Sequence, residues 1–391
     1  MFVSCQHEPG LGYATSLAHR LIITDGHVDL PYRMKVSNFR LKRAYLDVSV
    51  RTADGDFDYV RARAGGLDAP FMSIYIPSDN QLTPGLSKRV ADSLIDMVLA
   101  IPARYPAHYM MAYTPDDVLE AARTGKIALP MGMENGAPIE DDIRNVAYFY
   151  ERGIRYITLT HATDNRICDS SYDTTRTWNG LSPFGAQVVR EMNRLGIMVD
   201  ISHVSDSSFY EVLQIVKAPV IASHSSCRYF TPGFERNMND DMLKALARNG
   251  GVIQINFGST FLDSLSRQKF EVFRKEVSTY AADHNLAEGD SAYQAFIQQY
   301  YREKGYPHSD VARVADHIDH VVAIAGIDHV GLGSDYDGVG DSLPQGLKDV
   351  SDYPNLILEL LRRGYSEADI AKICYQNVFR VWRAVAAAAG S

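Results

Sequence analysis

Two histidines, His203 and His224, each follow a short apolar run, Gly196-Ile-Met-Val-Asp-Ile-Ser before one and Ala218-Pro-Val-Ile-Ala-Ser before the other. Runs of this kind read as buried parallel strands. An imidazole at the carboxyl end of two successive strands can hold a metal at the mouth of a barrel. Asp25-Gly-His27-Val-Asp29 adds an imidazole and a carboxylate that an extended strand turns to the same side. Met131-Gly-Met-Glu134-Asn places one more carboxylate after an apolar run. Its two oxygens can join two cations ~3.5–4 Å apart, which makes Glu134 the natural bridge. Together His27, Asp29, Glu134, His203 and His224 supply three imidazoles and two carboxylates, enough for two divalent ions.

Other polar residues sit at comparable positions. His161 ends Leu159-Thr-His and could be a sixth ligand or a substrate contact. Asp335 lies in Gly333-Ser-Asp-Tyr-Asp-Gly338, with Asp337 second in rank for the same work. The glycines on either side let the chain come close to the site. Arg228 and Arg236 follow His224, and a guanidinium there could hold a carboxylate in a fork. Position alone does not separate either arginine from a surface charge. His7, His19, His108, His284, His308, His317, His320 and His329 read as non-catalytic. Cys5, Cys168, Cys227 and Cys374 form no CxxC pair and no disulfide framework, which points to a reducing, cytoplasmic setting. Cys168 and Cys227 lie near histidines in sequence and leave a cysteine hydrolase as a minor alternative. A Walker loop, a GxGxxG after a strand, a His-Glu-x-x-His and a Gly-x-Ser-x-Gly are all missing.

The elements that must position these residues recur as strand then helix. Apolar runs near 20–29, 66–75, 127–134, 155–161, 196–202, 218–223, 250–257 and 329–335 give eight strands. Phe184 to Leu195 has helical spacing and closes on Gly196; Asp240 to Asn249 starts on a capping acid and closes on Gly250. Eight such alternations predict an α/β protein, a (β/α)₈ TIM barrel in one domain over 1–391. Helical insertions are expected near 78–115 and 259–306 above the catalytic face, and a docked last helix after Tyr375. The 46% hydrophobic content suits a large core, and the net charge of −9 argues against nucleic acid as a partner. Nothing approaches the ~20 apolar residues of a membrane span, and the first twenty residues lack the pattern of a signal peptide.

These stretches, in this order, resemble the renal or membrane dipeptidase family of zinc hydrolases in its bacterial form. Asp25-Gly-His-Val-Asp-Leu-Pro, Gly132-Met-Glu-Asn-Gly, Gly180-Leu-Ser-Pro-Phe-Gly, Asp200-Ile-Ser-His, Ser223-His-Ser-Ser, Gly331-Leu-Gly-Ser-Asp-Tyr-Asp-Gly and Asn377-Val-Phe-Arg-Val carry the resemblance from near residue 20 to near residue 383. It implies two zinc ions, one held by His27 and Asp29, one by His203 and His224, with Glu134 between them. It implies that His161 meets the scissile carbonyl, that Arg236 receives the substrate carboxylate, and that Asp335 handles protons. Hydroxide formed between the ions would attack the peptide bond of a dipeptide. An N-acyl-amino-acid amidohydrolase on the same barrel is the alternative, and a homodimer is compatible with the family. The loop after His161 and the loop from Cys227 to Glu235 differ from the animal enzymes, in the region where substrate side chains would be sorted. The C-terminus lacks the long apolar tail that a lipid-anchor signal requires.

Overall fold

The computed structural model describes residues 9–35, 46–287, 290–305 and 308–390. Cys5 and His7 lie outside them. Eight parallel strands form the centre: β1 Thr24–Val28, β2 Ala69–Tyr75, β3 Met131–Glu134, β4 Ile154–Thr158, β5 Met198–Asp200, β6 Ile221–Ser225, β7 Val252–Ile255 and β8 Val330–Leu332. Each pairs with its sequence neighbour. The ring closes through backbone bonds at the site itself: Asp335 N–H donates to the His27 carbonyl at 3.1 Å, and Asp29 N–H to the Tyr336 carbonyl at 2.8 Å. This is the expected (β/α)₈ barrel. Almost every strand residue is buried, because helices cover the outer face and side chains fill the inner one.

The helices start and stop where their end residues demand. Pro183–Leu195 is capped by the Ser182 hydroxyl, which accepts the Gly185 N–H at 2.8 Å, and ends on Gly196 at φ 82°, a conformation that costs glycine little. In Asp240–Asn249 the cap is Asn239, whose side chain accepts the Met242 N–H at 2.9 Å. Asp240, expected as the capping acid, instead opens the first turn. The last helix, Asn377–Ala387, packs Phe379 and Trp382 against Phe71, Met198, Ile221 and Val252, near the end where the barrel strands begin. The opposite end is left open to the loops.

Two expectations change. The run 127–134 is not one strand. Ile127–Leu129 pairs with Tyr109–Met111 in a separate parallel ribbon, and only Met131–Glu134 joins the barrel. Pro130 stands at the break, where a residue without N–H cannot continue the ladder. The insertion 78–115 is therefore not all helix. It holds a short turn Ser78–Leu82, the helix Leu86–Arg104 and the strand Tyr109–Met111. The second insertion is helical, with Ser264–Asp283 and Ser291–Lys304 sharing a small core of Phe273, Val277 and Tyr300. Among the described residues no helix is long and apolar enough to cross a membrane.

Candidate metal centre

Five of the predicted residues converge at the open mouth of the barrel, all buried. His27 Nε2 lies 3.5 Å from Asp29 Oδ2 and 3.3 Å from Glu134 Oε2. His203 Nε2 and His224 Nε2 lie 3.1 and 3.3 Å from the other oxygen, Glu134 Oε1, and 2.9 Å from each other. The two oxygens of Glu134 thus face different imidazoles, within overlapping groups of His27, Glu134 and His224 and of Glu134, His161 and His203. Two ligand atoms on one tetrahedral zinc, each about 2.0–2.1 Å from it, stand about 3.3 Å apart. All these separations bracket that value. His27 Nε2 and Asp29 Oδ1 are buried with no hydrogen-bond partner among the described residues, which otherwise costs folding free energy. The donor set, imidazoles with carboxylates, suits zinc.

The surrounding residues set the imidazole tautomers. Tyr156, inward on β4, donates its hydroxyl proton to the Gly26 carbonyl at 3.1 Å and accepts from His27 Nδ1 at 2.9 Å. Ser223 donates to Asp200 at 2.6 Å and accepts from His224 Nδ1 at 2.8 Å. With Nδ1 donating, the neutral form of each ring has its Nε2 lone pair toward Glu134. Burial alone would lower the His27 pKa, but Tyr156, Glu134 and Asp29 raise it well above the ordinary histidine range, favouring a positive charge at this position. Asp200 is fully enclosed and also takes the N–H groups of Ser202 and Ser223 and the hydroxyl of Thr158. It, not His203, is the tip of β5. His203 comes three residues later at φ 69°, a strained conformation for a bulky residue that swings its ring back over the mouth. Tyr156, Asp200 and Asn256 were not singled out from sequence. Their signal was alternation along a strand, which turns them inward beside residues that were.

Burial, aided by nearby positive charge from Arg236 and neighbouring imidazoles, pushes His203 and His224 well below the ordinary histidine range. Burial would raise Glu134, but the imidazoles around it hold its carboxyl well below the usual range. Both shifts keep the ligand forms. His161 Nε2 sits 3.6 Å from Glu134 Oε1, and burial lowers its pKa. Asp335, at φ 65°, accepts from Asn256 Nδ2 at 2.8 Å. Burial together with Asp29 and Glu134 pushes it up to about 7. A Cβ on Gly338 would lie 2.2 Å from oxygens of both Asp29 and Asp335, so only glycine fits that loop.

The alternatives separate cleanly. Arg228 forks onto Asp206 at 2.5 and 2.7 Å and holds its own loop. Arg236 is 2% exposed and among the described residues donates only to the Ser225 hydroxyl and the His224 carbonyl, both at 2.8 Å, leaving its Nε without a partner there. No described carboxylate pairs with it. Asp337 turns away toward Arg33, at 3.0 Å, and Asp56. Cys168, Cys227 and Cys374 are free and buried, and burial raises all three thiols. Only His27, His161, His203 and His224 among the described histidines join candidate metal groups.

A family model described as membrane dipeptidase, peptidase family M19, matches residues 12–391. A protein named an uncharacterized dipeptidase in Schizosaccharomyces pombe is 34% identical over 373 residues, covering 92% of this chain and 80% of that one. The probable dipeptidase PvdM of Pseudomonas aeruginosa superimposes with a TM-score of 0.81 at 27% identity, over 97% of this chain and 99% of that one. A metallo peptidase of Rhodobacter sphaeroides, solved with a phosphinate mimic of L-Ala-D-Ala, gives 0.74 at 23% identity over 93% and 99% of the two chains. At that identity the likeness shows the fold.

Proposed function

The chain belongs to the membrane dipeptidase family, peptidase family M19, and from that premise we propose a zinc-dependent dipeptidase acting on short substrates with a free C-terminal carboxylate. It is a hydrolase with groups able to hold a metal ion. His27 and Asp29 would hold one zinc and His203 and His224 the other, with Glu134 placed to contribute an oxygen to each. Bound zinc supplies Lewis acidity and a water acidic enough to ionise near pH 7.

The chain's own residues do the rest. Arg236 receives the substrate carboxylate through the face that its bonds to Ser225 and His224 leave free. A longer peptide has no carboxylate at that point, which restricts length. His161, kept neutral by burial, donates a hydrogen bond to the scissile carbonyl as charge develops there, where one well-placed donor is worth ~3 kcal/mol. Asn256 occupies one oxygen of Asp335. The other is free to take a proton from the attacking water and return it to the departing amine.

The observation that carries this reading is the buried guanidinium of Arg236, with no carboxylate partner among the described residues, beside a cluster of candidate metal donors. A buried unpaired cation is costly unless a ligand completes it. The test compares free-acid and C-amidated dipeptides on zinc-reconstituted protein, wild type and Arg236→Ala. We expect Arg236→Ala to weaken free-acid substrates and to spare amidated ones; equal loss on both sinks the carboxylate role. An acylated and an unacylated pair separates a dipeptidase from an N-acyl-amino-acid amidohydrolase, which would share the grip.

A further inference from the structure

Between Arg236 and the donor cluster runs a continuous arc of rings contributed by the segments that leave β4, β6 and β7. The Arg236 guanidinium lies 5.4 Å over Phe261. Phe261 is 5.8 Å from Phe234, Phe234 is 6.0 Å from Tyr172, and Tyr172 is 6.0 Å from His203, measured between ring centroids. Such spacings are those of interacting aromatic pairs.

We infer that Tyr172 and Phe234 form the wall that receives the side chain of the substrate's C-terminal residue, selecting dipeptides that end in a large apolar or aromatic residue. This rests on the reading that Arg236 holds the carboxylate. A residue whose carboxylate is on Arg236, and whose amide is at the metal donors, has its α-carbon between them and its side chain beside the arc. Tyr172 is 44% exposed, so ring surface remains for a substrate to cover.

The wall is fixed before substrate arrives. The Arg267 guanidinium lies over the Phe234 ring at 4.0 Å. Arg176 pairs with Glu235 and donates to the Ser170 carbonyl, tying the Tyr172 loop to the Phe234 loop. Glu235 also accepts the Asp206 N–H at 2.9 Å. Rings held this way lose little freedom when a ligand packs on them.

The test measures kcat/KM of the zinc enzyme on Ala-Gly and on Ala-Leu and Ala-Phe with both configurations at the second residue. The better Leu- or Phe-terminated substrate should exceed Ala-Gly by about tenfold, the worth of one good aromatic contact with its buried area. Tyr172→Ala and the milder Phe234→Leu should each shrink that ratio, with zinc content and melting temperature unchanged. A ratio that neither variant moves, or a wild type that prefers Ala-Gly, overturns the wall and leaves the dipeptidase reading standing. A wild type that cleaves none of these substrates overturns the dipeptidase reading and the wall with it.

Discussion

The hydroxyl of Tyr156 accepts a hydrogen bond from His27 Nδ1 at 2.9 Å because its own proton is committed to the Gly26 carbonyl at 3.1 Å. A phenol thus does what a carboxylate or carbonyl often does behind a metal-binding histidine. Tyr156 is fully buried, and burial raises its pKa, so it stays a neutral phenol. Tyr156→Phe keeps the ring packing and removes the acceptor. Zinc affinity should drop about 10- to 100-fold, the usual cost of losing a partner behind a ligand. Competition against a chromophoric chelator reads this directly, and unchanged affinity would show that the ring orientation is held by packing alone.

Asp200 organises the other side. It accepts from Ser202 N–H, Ser223 N–H, the Ser223 hydroxyl and the Thr158 hydroxyl, with no exposure to water. Asp200→Asn replaces an acceptor oxygen by an NH₂ that faces donors. One or two of these bonds must break, at a cost of about 2–4 kcal/mol. Urea unfolding of the metal-free protein should show that loss. If stability is unchanged and only zinc affinity falls, Asp200 serves the ligand rather than the fold.

The barrel was legible because eight apolar runs end in polar residues that a soluble core would not place there without reason. Where sequence reasoning failed, a local pattern was overruled by its partners. Ile127–Glu134 reads as one strand until Pro130 hands its two halves to different sheets. His203 looked like a strand tip, but the strand ends at Asp200 and a left-handed turn brings the imidazole back. Arg228 and Arg236 are indistinguishable by position. Only the fold shows that Asp206 neutralises the first and that no described carboxylate pairs with the second. Tyr156 and Asn256 carry no motif, and their part depends on which distant side chain the barrel turns toward them.

Glu134 puts one oxygen toward His27 and the other toward His203 and His224. If it joins both ions, Glu134→Ala removes a ligand from each. Zinc content should fall below one per chain, and turnover should be lost. Wild type should also melt higher with zinc than after chelation, since an ion at 100 times its dissociation constant adds about 2.7 kcal/mol. Glu134→Ala should show little of that difference. A variant that keeps two zincs and normal turnover refutes the bridge.

His317 gives a pH dependence separate from the metal donors. Its Nδ1 accepts the Cys227 N–H at 3.0 Å and its Nε2 donates to the Leu262 carbonyl at 2.8 Å, so the folded state holds it neutral. Burial pushes its pKa from 6.5 down to about 3. Between those values the unfolded chain binds a proton that the folded chain refuses. Stability from this residue is therefore complete above pH 6.5 and is lost as the pH falls toward 3, by about 1.4 kcal/mol per pH unit. His317→Gln can keep both bonds, carbonyl for Nδ1 and amide N–H for Nε2, and cannot titrate. The variant should start less stable or equal at pH 7.5 and gain on wild type by about 1 kcal/mol between pH 6 and 5 in urea unfolding. Parallel loss in the two proteins would mean that His317 takes up its proton without unfolding, through a rearrangement of the Cys227 loop.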